Sequence, residues 1–195
     1  RPAFVMRDMA IDARATGSQL EMDVEFHLEG RQLQGVNEGT WLRVPLRFDK
    51  AYLRKEPSFE GPGGHFLTFD EKQGGYVCWI QMTSAAVHRV GLSLLVPITR
   101  VGEESRFTLE APSSLASTLS LRVPENPAEG TVRDLAGNAE RSLAFKVNEK
   151  GEGTFSSRGI RGSVSISWHK SRIAEEQPDV RLSVFGTIVV TADEL

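Results

Sequence analysis

The residues able to do chemistry in this chain are few and scattered. Its single cysteine, Cys78, stands between Val77 and Trp79 in an apolar run. A thiol acts as nucleophile or metal ligand only as thiolate, which needs an electropositive, partly open setting. An apolar strand offers the opposite, so Cys78 is expected to be a small buried hydrophobe. The four histidines, His27, His65, His88 and His169, make no H-x-H pair, no H-E-x-x-H motif and no cysteine–histidine set. Metal ligation would need two of them to converge across a sheet; the expected place for each is a solvated strand face. There is no Gly-x-Ser-x-Gly elbow, and the serines fall in strands and turns such as Ser113-Ser114 and Ser163, Ser165, Ser167. Gly61-Pro62-Gly63-Gly64 lacks the Lys-Ser/Thr and following helix of a phosphate loop, so it reads as a turn.

Oxygen ligands make a second set of candidates. Asp134-Leu135-Ala136-Gly137-Asn138 places two polar side chains around a glycine but has neither the alternate spacing nor the closing glutamate of an EF-hand. A turn in which Gly137 and Asn138 take left-handed φ is expected there, with calcium left open. Glu21, Asp23 and Glu25 alternate along one strand face, the pattern of solvated surface. Arg43 and Arg47 are their candidate partners, at about 0.2–1 kcal/mol per cross-strand pair. Were the chain an enzyme, a loop-end pocket would have to gather groups such as Glu60, His65 and Asp70. No catalytic motif, metal set or cofactor motif is found, and none is expected. Trp41 and Trp79 remain: by alternation they share the polar faces of their strands with Arg43 and Gln81, which makes them the candidate ligand-binding residues, through stacking on a sugar. Trp168 alternates with Val164 and Ile166 and is expected in the core.

The elements that must carry these residues are strands. Leu20, Met22, Val24, Phe26 and Leu28 alternate with Glu21, Asp23, Glu25 and His27, and the same period of two recurs at Leu42–Phe48 and Val164–Trp168. No 3.6-residue stripe competes. Strands are expected at about 3–13, 18–29, 40–54, 65–69, 75–83, 86–99, 104–110, 117–123, 143–148, 162–169 and 179–191, separated by Gly, Pro and Asn turns. Single helical turns would fit at most at 111–118 and 172–177. Pro45 and Pro97 lie inside strand patterns, which places them at an edge or a bulge, because proline donates nothing to a ladder. The fold class expected is all-β, an antiparallel β-sandwich of about ten strands with little helix. Residues 1–170 form the sandwich, 171–178 a polar linker, and 179–195 a final strand that completes the sandwich or opens a further module.

Composition narrows the function classes. The 195 residues carry 23 basic and 26 acidic side chains, a net charge of −3, with no basic stripe, so no nucleic-acid partner is expected. The apolar runs near 92–98 and 185–190 are far shorter than a bilayer span, so no membrane insertion is expected. With one cysteine there is no intrachain disulfide. The opening Arg1-Pro2, without initiator Met or leader, is read as a processed or excised end.

The segment Thr131-Val-Arg-Asp-Leu-Ala-Gly-Asn-Ala139, followed by Leu143–Val147, resembles the last hairpin of bacterial Ig-like surface domains. Trp41-Leu-Arg-Val-Pro-Leu46, Gly75-Tyr-Val-Cys-Trp79, Leu95-Val-Pro-Ile98 and Leu119-Ser-Leu-Arg-Val-Pro124 together are similar to β-sandwich modules of large exported bacterial proteins. Neither resemblance brings catalytic residues. Both imply a secreted or cell-envelope location and a structural or adhesive role. The expectation is a non-catalytic structural or protein-interaction module whose partner is another protein or neighbouring modules, with a glycan-binding module using Trp41 and Trp79 as the alternative.

Overall fold

The structure, a computed structural model, describes residues 4–30, 39–81, 83, 86–124, 126–137 and 139–170. The linker and final strand expected beyond residue 170 lie outside these, as does Asn138. Strands β1 (Phe4–Thr16), β2 (Gln19–Gly30), β3 (Trp41–Phe48), β4 (Tyr52–Leu53), β5 (Ser58–Glu60) and β6 (His65–Asp70) lead to a 3-10 turn at Glu71–Gln73. Then follow β7 (Gly75–Gln81), β8 (Val87–Pro97), β9 (Thr99–Val101), β10 (Glu104–Ala111) and β11 (Ala116–Val123). The last are β12 (Pro127–Asp134), β13 (Glu140–Leu143), β14 (Lys146–Val147), β15 (Gly153–Arg158) and β16 (Gly162–Lys170). The protein is all-β, and the 3-10 turn is the only helical element among the described residues.

Three sheets result. The largest runs β14-β15-β11-β1-β2-β8-β4, with β5 also on β8; the second runs β13-β12-β16-β10-β9; the third is β3-β7-β6. Pairing is antiparallel except for β1 against β11, which is parallel from Asp8↔Ala116 to Arg14↔Arg122. That pair closes the large sheet between two distant parts of the chain, which local alternation does not reveal. Three strands lie wholly outside the expected segments, and β5, with three residues, is too short to show a period. In β12 the apolar period is weak, with Pro127, Gly130 and Val132 as its buried positions, and in β15 Gly153 and Phe155 alone are buried.

The core follows the period of two. Leu20, Met22, Val24, Phe26 and Leu28 of β2 are all at most 2 % exposed, and Val90, Leu92, Leu94 and Val96 of β8 continue the same face. Fully burying such a side chain contributes about 1.5–3 kcal/mol. In β1 the buried positions Met6 and Met9 are three apart, and a bulge between Met6 and Asp8 absorbs the odd residue. The second and third sheets cover this face: Phe26 of β2 meets Phe48 of β3 with ring centroids 6.2 Å apart, and Phe107, Ile166 and Trp168 belong to the same cluster. Trp168, 3 % exposed, lies in the core as its alternation requires. Pro45 sits on the edge strand of the third sheet beside a bulge, and Pro97 ends β8 opposite Gln19 of β2. The bulge has a sharp backbone signature: Arg47 and Phe48 both take positive φ, 67° and 60°, opposite Gly75 at φ 121°.

Candidate functional site

The two tryptophans singled out by alternation come together on the outer face of the three-stranded sheet, and a third ring joins them. Arg43 and Phe66 flank Trp79 on either side in register. Phe66 and Trp79 stack with centroids 5.7 Å apart and planes 10° from parallel. Trp41, opposite Gln81 at the end of β7, reaches across to β6 and meets Phe66 in a T-shaped contact at 5.0 Å. Its indole lies over Gly64, where an added Cβ would come 2.7 Å from Cη2. The indole N–H of Trp79 donates to Thr68 Oγ1 at 3.1 Å. Trp41 and Phe66 are about two-fifths exposed, Trp79 half-buried.

The two arginines that β3 places beside this cluster are ion-paired. Arg43 donates to Asp70 at 3.1 Å, and the Arg47 guanidinium binds Glu110 of β10. Asp70 also accepts from the backbone of Lys72. What remains is a largely apolar surface on which Arg43 and Arg47 are both paired. Beside it, β6 pairs β7 on one side and no strand on the other among the described residues. A groove of about 570 Å³ runs along β6, walled by Leu53, Phe59, Phe66, Phe69 and Tyr76. Phe69 is half exposed and meets Tyr76 edge-on at 5.1 Å.

Other expected placements divide. Cys78 is fully buried, and burial pushes its thiol up to about 12, as a hydrophobe's role demands. Glu21 and Asp23 do not face Arg43 and Arg47: their partner is Arg54, which reaches Glu21 at 2.6 Å and Asp23 at 3.6 Å, while Glu25 lies 3.4 Å from Arg89. The reason is topology, since β2 pairs β1 and β8 rather than β3. Glu60, His65 and Asp70 are not gathered in one pocket: Glu60 binds Arg89, His65 turns inward to His88, and Asp70 holds Arg43. The convergence of His65 and His88 contradicts the solvated placement. A signal for it exists, because His88 has the parity of Val90, Leu92, Leu94 and Val96. Asp134 Oδ1 accepts from the N–H of Ala136 and Gly137, so its carboxylate closes its own turn, and Gly137 does not adopt positive φ. Among the described residues no group of three His, Cys, Asp or Glu side chains stands close enough to hold a metal.

Fold and site together define an all-β module of three sheets carrying one aromatic face. No family profile and no curated protein matches the chain. Among solved structures, native leukotriene A4 hydrolase from Saccharomyces cerevisiae superposes with a TM-score of 0.51 at 10 % identity, over 85 % of this chain and 29 % of the hydrolase. The yeast enzyme in complex with bestatin gives 0.50 at 9 % identity, over 86 % and 29 %. The chain spans less than a third of the length of these hydrolases, and at this identity the likeness shows the fold alone.

Proposed function

We propose that this chain is a non-catalytic interaction module of a larger protein, which docks an apolar, extended segment of a partner or neighbouring module along the edge of β6. The observation that carries this reading is the juxtaposition of a strand edge, unpaired among the described residues, with the Trp41–Phe66–Trp79 cluster and the adjoining groove. An unpaired edge accepts a strand through main-chain hydrogen bonds, and neighbouring pockets select its side chains. Aromatic anchors of this kind are enriched at the centre of protein interfaces. The pairing of Arg43 with Asp70 and of Arg47 with Glu110 favours an apolar protein surface over an anionic ligand. The fold's likeness to a 29 % portion of a hydrolase supports the reading as one module among several; no hydrolytic activity is carried over. The hairpin at 131–147 and its resemblance to exported bacterial modules extend the proposal to an extracytoplasmic setting, which fractionation of the host cell tests.

The sugar-binding alternative has less support from the geometry. A pyranose needs an open ring face, whereas Phe66 and Trp79 cover a face of one another. A benzophenone side chain placed at position 69 in the native host tests the two readings. Docking predicts an adduct with one defined polypeptide, lost in Trp79→Ala. Absence of any adduct, together with Trp41-dependent retention on a glycan array, overturns it in favour of the sugar reading.

A further inference from the structure

His65 and His88 belong to different sheets, yet Nε2 of His65 lies 3.0 Å from Nδ1 of His88, with the rings in a T-shaped contact at 5.2 Å. His88 is 1 % exposed, and its other nitrogen, Nε2, is buried without a hydrogen-bond partner. Phe59 of β5 stacks on His65 at 5.6 Å with planes 14° apart. Gly61, in the turn joining β5 to β6, packs directly on the pair: its φ is 131°, and an added Cβ would come 2.6 Å from His88 Nδ1. This contact ties β6 of the three-stranded sheet to β8 of the large one.

The surroundings are apolar. In register, β2 sets Leu28 opposite His88 and β7 sets Ile80 opposite His65, with Val90 next along β8 and Phe59 from β5. The charged groups of these strands are engaged elsewhere: His27 of β2 with Asp8 and Glu25, Glu29 with Arg7, and Glu60 of β5 with Arg89 of β8. On β6, Asp70 holds Arg43. Among the described residues the one hydrogen-bond partner of each imidazole is the other, and no carboxylate reaches either ring.

An N–H···N bond between two imidazoles requires one nitrogen to keep its lone pair. A first proton leaves an imidazolium that still donates to its neutral neighbour. A second places N–H groups and like charges face to face at 3.0 Å, with no counter-ion in reach. We propose that the His65–His88 contact is an acid-sensitive latch, which holds the three-stranded sheet and the 58–65 segment against the large sheet at neutral pH and opens when both rings are protonated. Burial lowers the pKa of both rings, and the charge of His65 lowers that of His88 further. The two titrate as a coupled pair. Phe59 and His65 also wall the groove beside β6, so opening reshapes that groove. The latch does not rest on what docks there.

Hydrogen exchange of the whole chain across neutral to acidic pH, corrected for intrinsic exchange rates, tests the latch. Opening of residues 58–66 should rise by up to about tenfold per pH unit for each titrating ring below the unfolded pKa, while β1 and β2 stay protected. His65→Gln keeps a hydrogen-bonding side chain that does not titrate and should weaken the acid response to at most the single step of buried His88. A wild-type segment that ignores acid, or an unchanged response in His65→Gln, overturns the proposal. If the variant fails to fold, imidazole resonances of the wild type decide. Coupled titration of His65 and His88 below the ordinary histidine range supports the latch, and independent ordinary titration overturns it.

Discussion

Phe66 and Trp79 stand directly opposite one another across the β6–β7 pair, with their rings 10° from parallel. A cross-strand aromatic pair on a half-exposed face contributes mainly through ring contact, because neither side chain is fully withdrawn from water. Trp41 then adds a third ring from the far strand of the same sheet.

This geometry predicts a measurable coupling. In a double-mutant cycle of Phe66→Ala and Trp79→Ala, urea denaturation should return about 0.5–1.5 kcal/mol of interaction energy between the two rings. Additive effects would mean that the stack does not persist in solution.

Cys78 should be inert in the native state. With its thiol held near 12 by burial, it should fail to react with an aromatic disulfide at mildly alkaline pH and react fully once denatured. Prompt modification of the folded protein would show that β7 is open.

Glycine is required at position 75 far more than at position 17. Gly75 has φ 121°, and an added Cβ would collide with backbone atoms of Arg47 and Asp49, whereas Gly17 has φ 60° and open space around it. Gly75→Ala should therefore destabilise by on the order of 3 kcal/mol, and Gly17→Ala by about 1 kcal/mol. Equal losses in thermal or urea unfolding would contradict the bulge geometry.

Stability should fall with acid through the buried imidazoles. His65 and His88 have folded pKa values below 6.5, so the unfolded chain binds more protons as pH drops from 6.5 toward the folded values. The loss begins near pH 6.5 and levels off once both rings are protonated in the fold. Urea midpoints of wild type and His88→Gln should thus converge as pH decreases. A constant gap between them would remove the histidines as the cause.

Asp134→Ala should cost about 1 kcal/mol, because two backbone N–H groups of the β12–β13 turn lose their acceptor. With the carboxylate turned onto its own loop, a calcium chelator should leave the thermal midpoint of the wild type unchanged.

Much of the fold was legible. The unbroken alternation of Leu20 to Leu28 identifies a half-buried strand and its inward face, and the same argument places Trp168 in the core and leaves Trp41 exposed. Proline's missing N–H placed Pro45 at an edge or a bulge, and β3 is an edge strand with a bulge beside Pro45. Weakly patterned strands such as β12 and β15 were not legible, since Val132 and Phe155 are too isolated to show a period.

In the regularly alternating strands the sequence by itself determined which apolar side chains face inward, because the two-residue period of a strand is a property of the local backbone. It did not determine which strands lie side by side. That choice decided that Glu21 meets Arg54 rather than Arg43, that β1 runs parallel to β11, and that Phe66 stacks on Trp79. It also brought His65 to His88 from two sheets. Such pairings depend on loop closure and on the burial of one core shared by all three sheets, and only the tertiary structure carries that information.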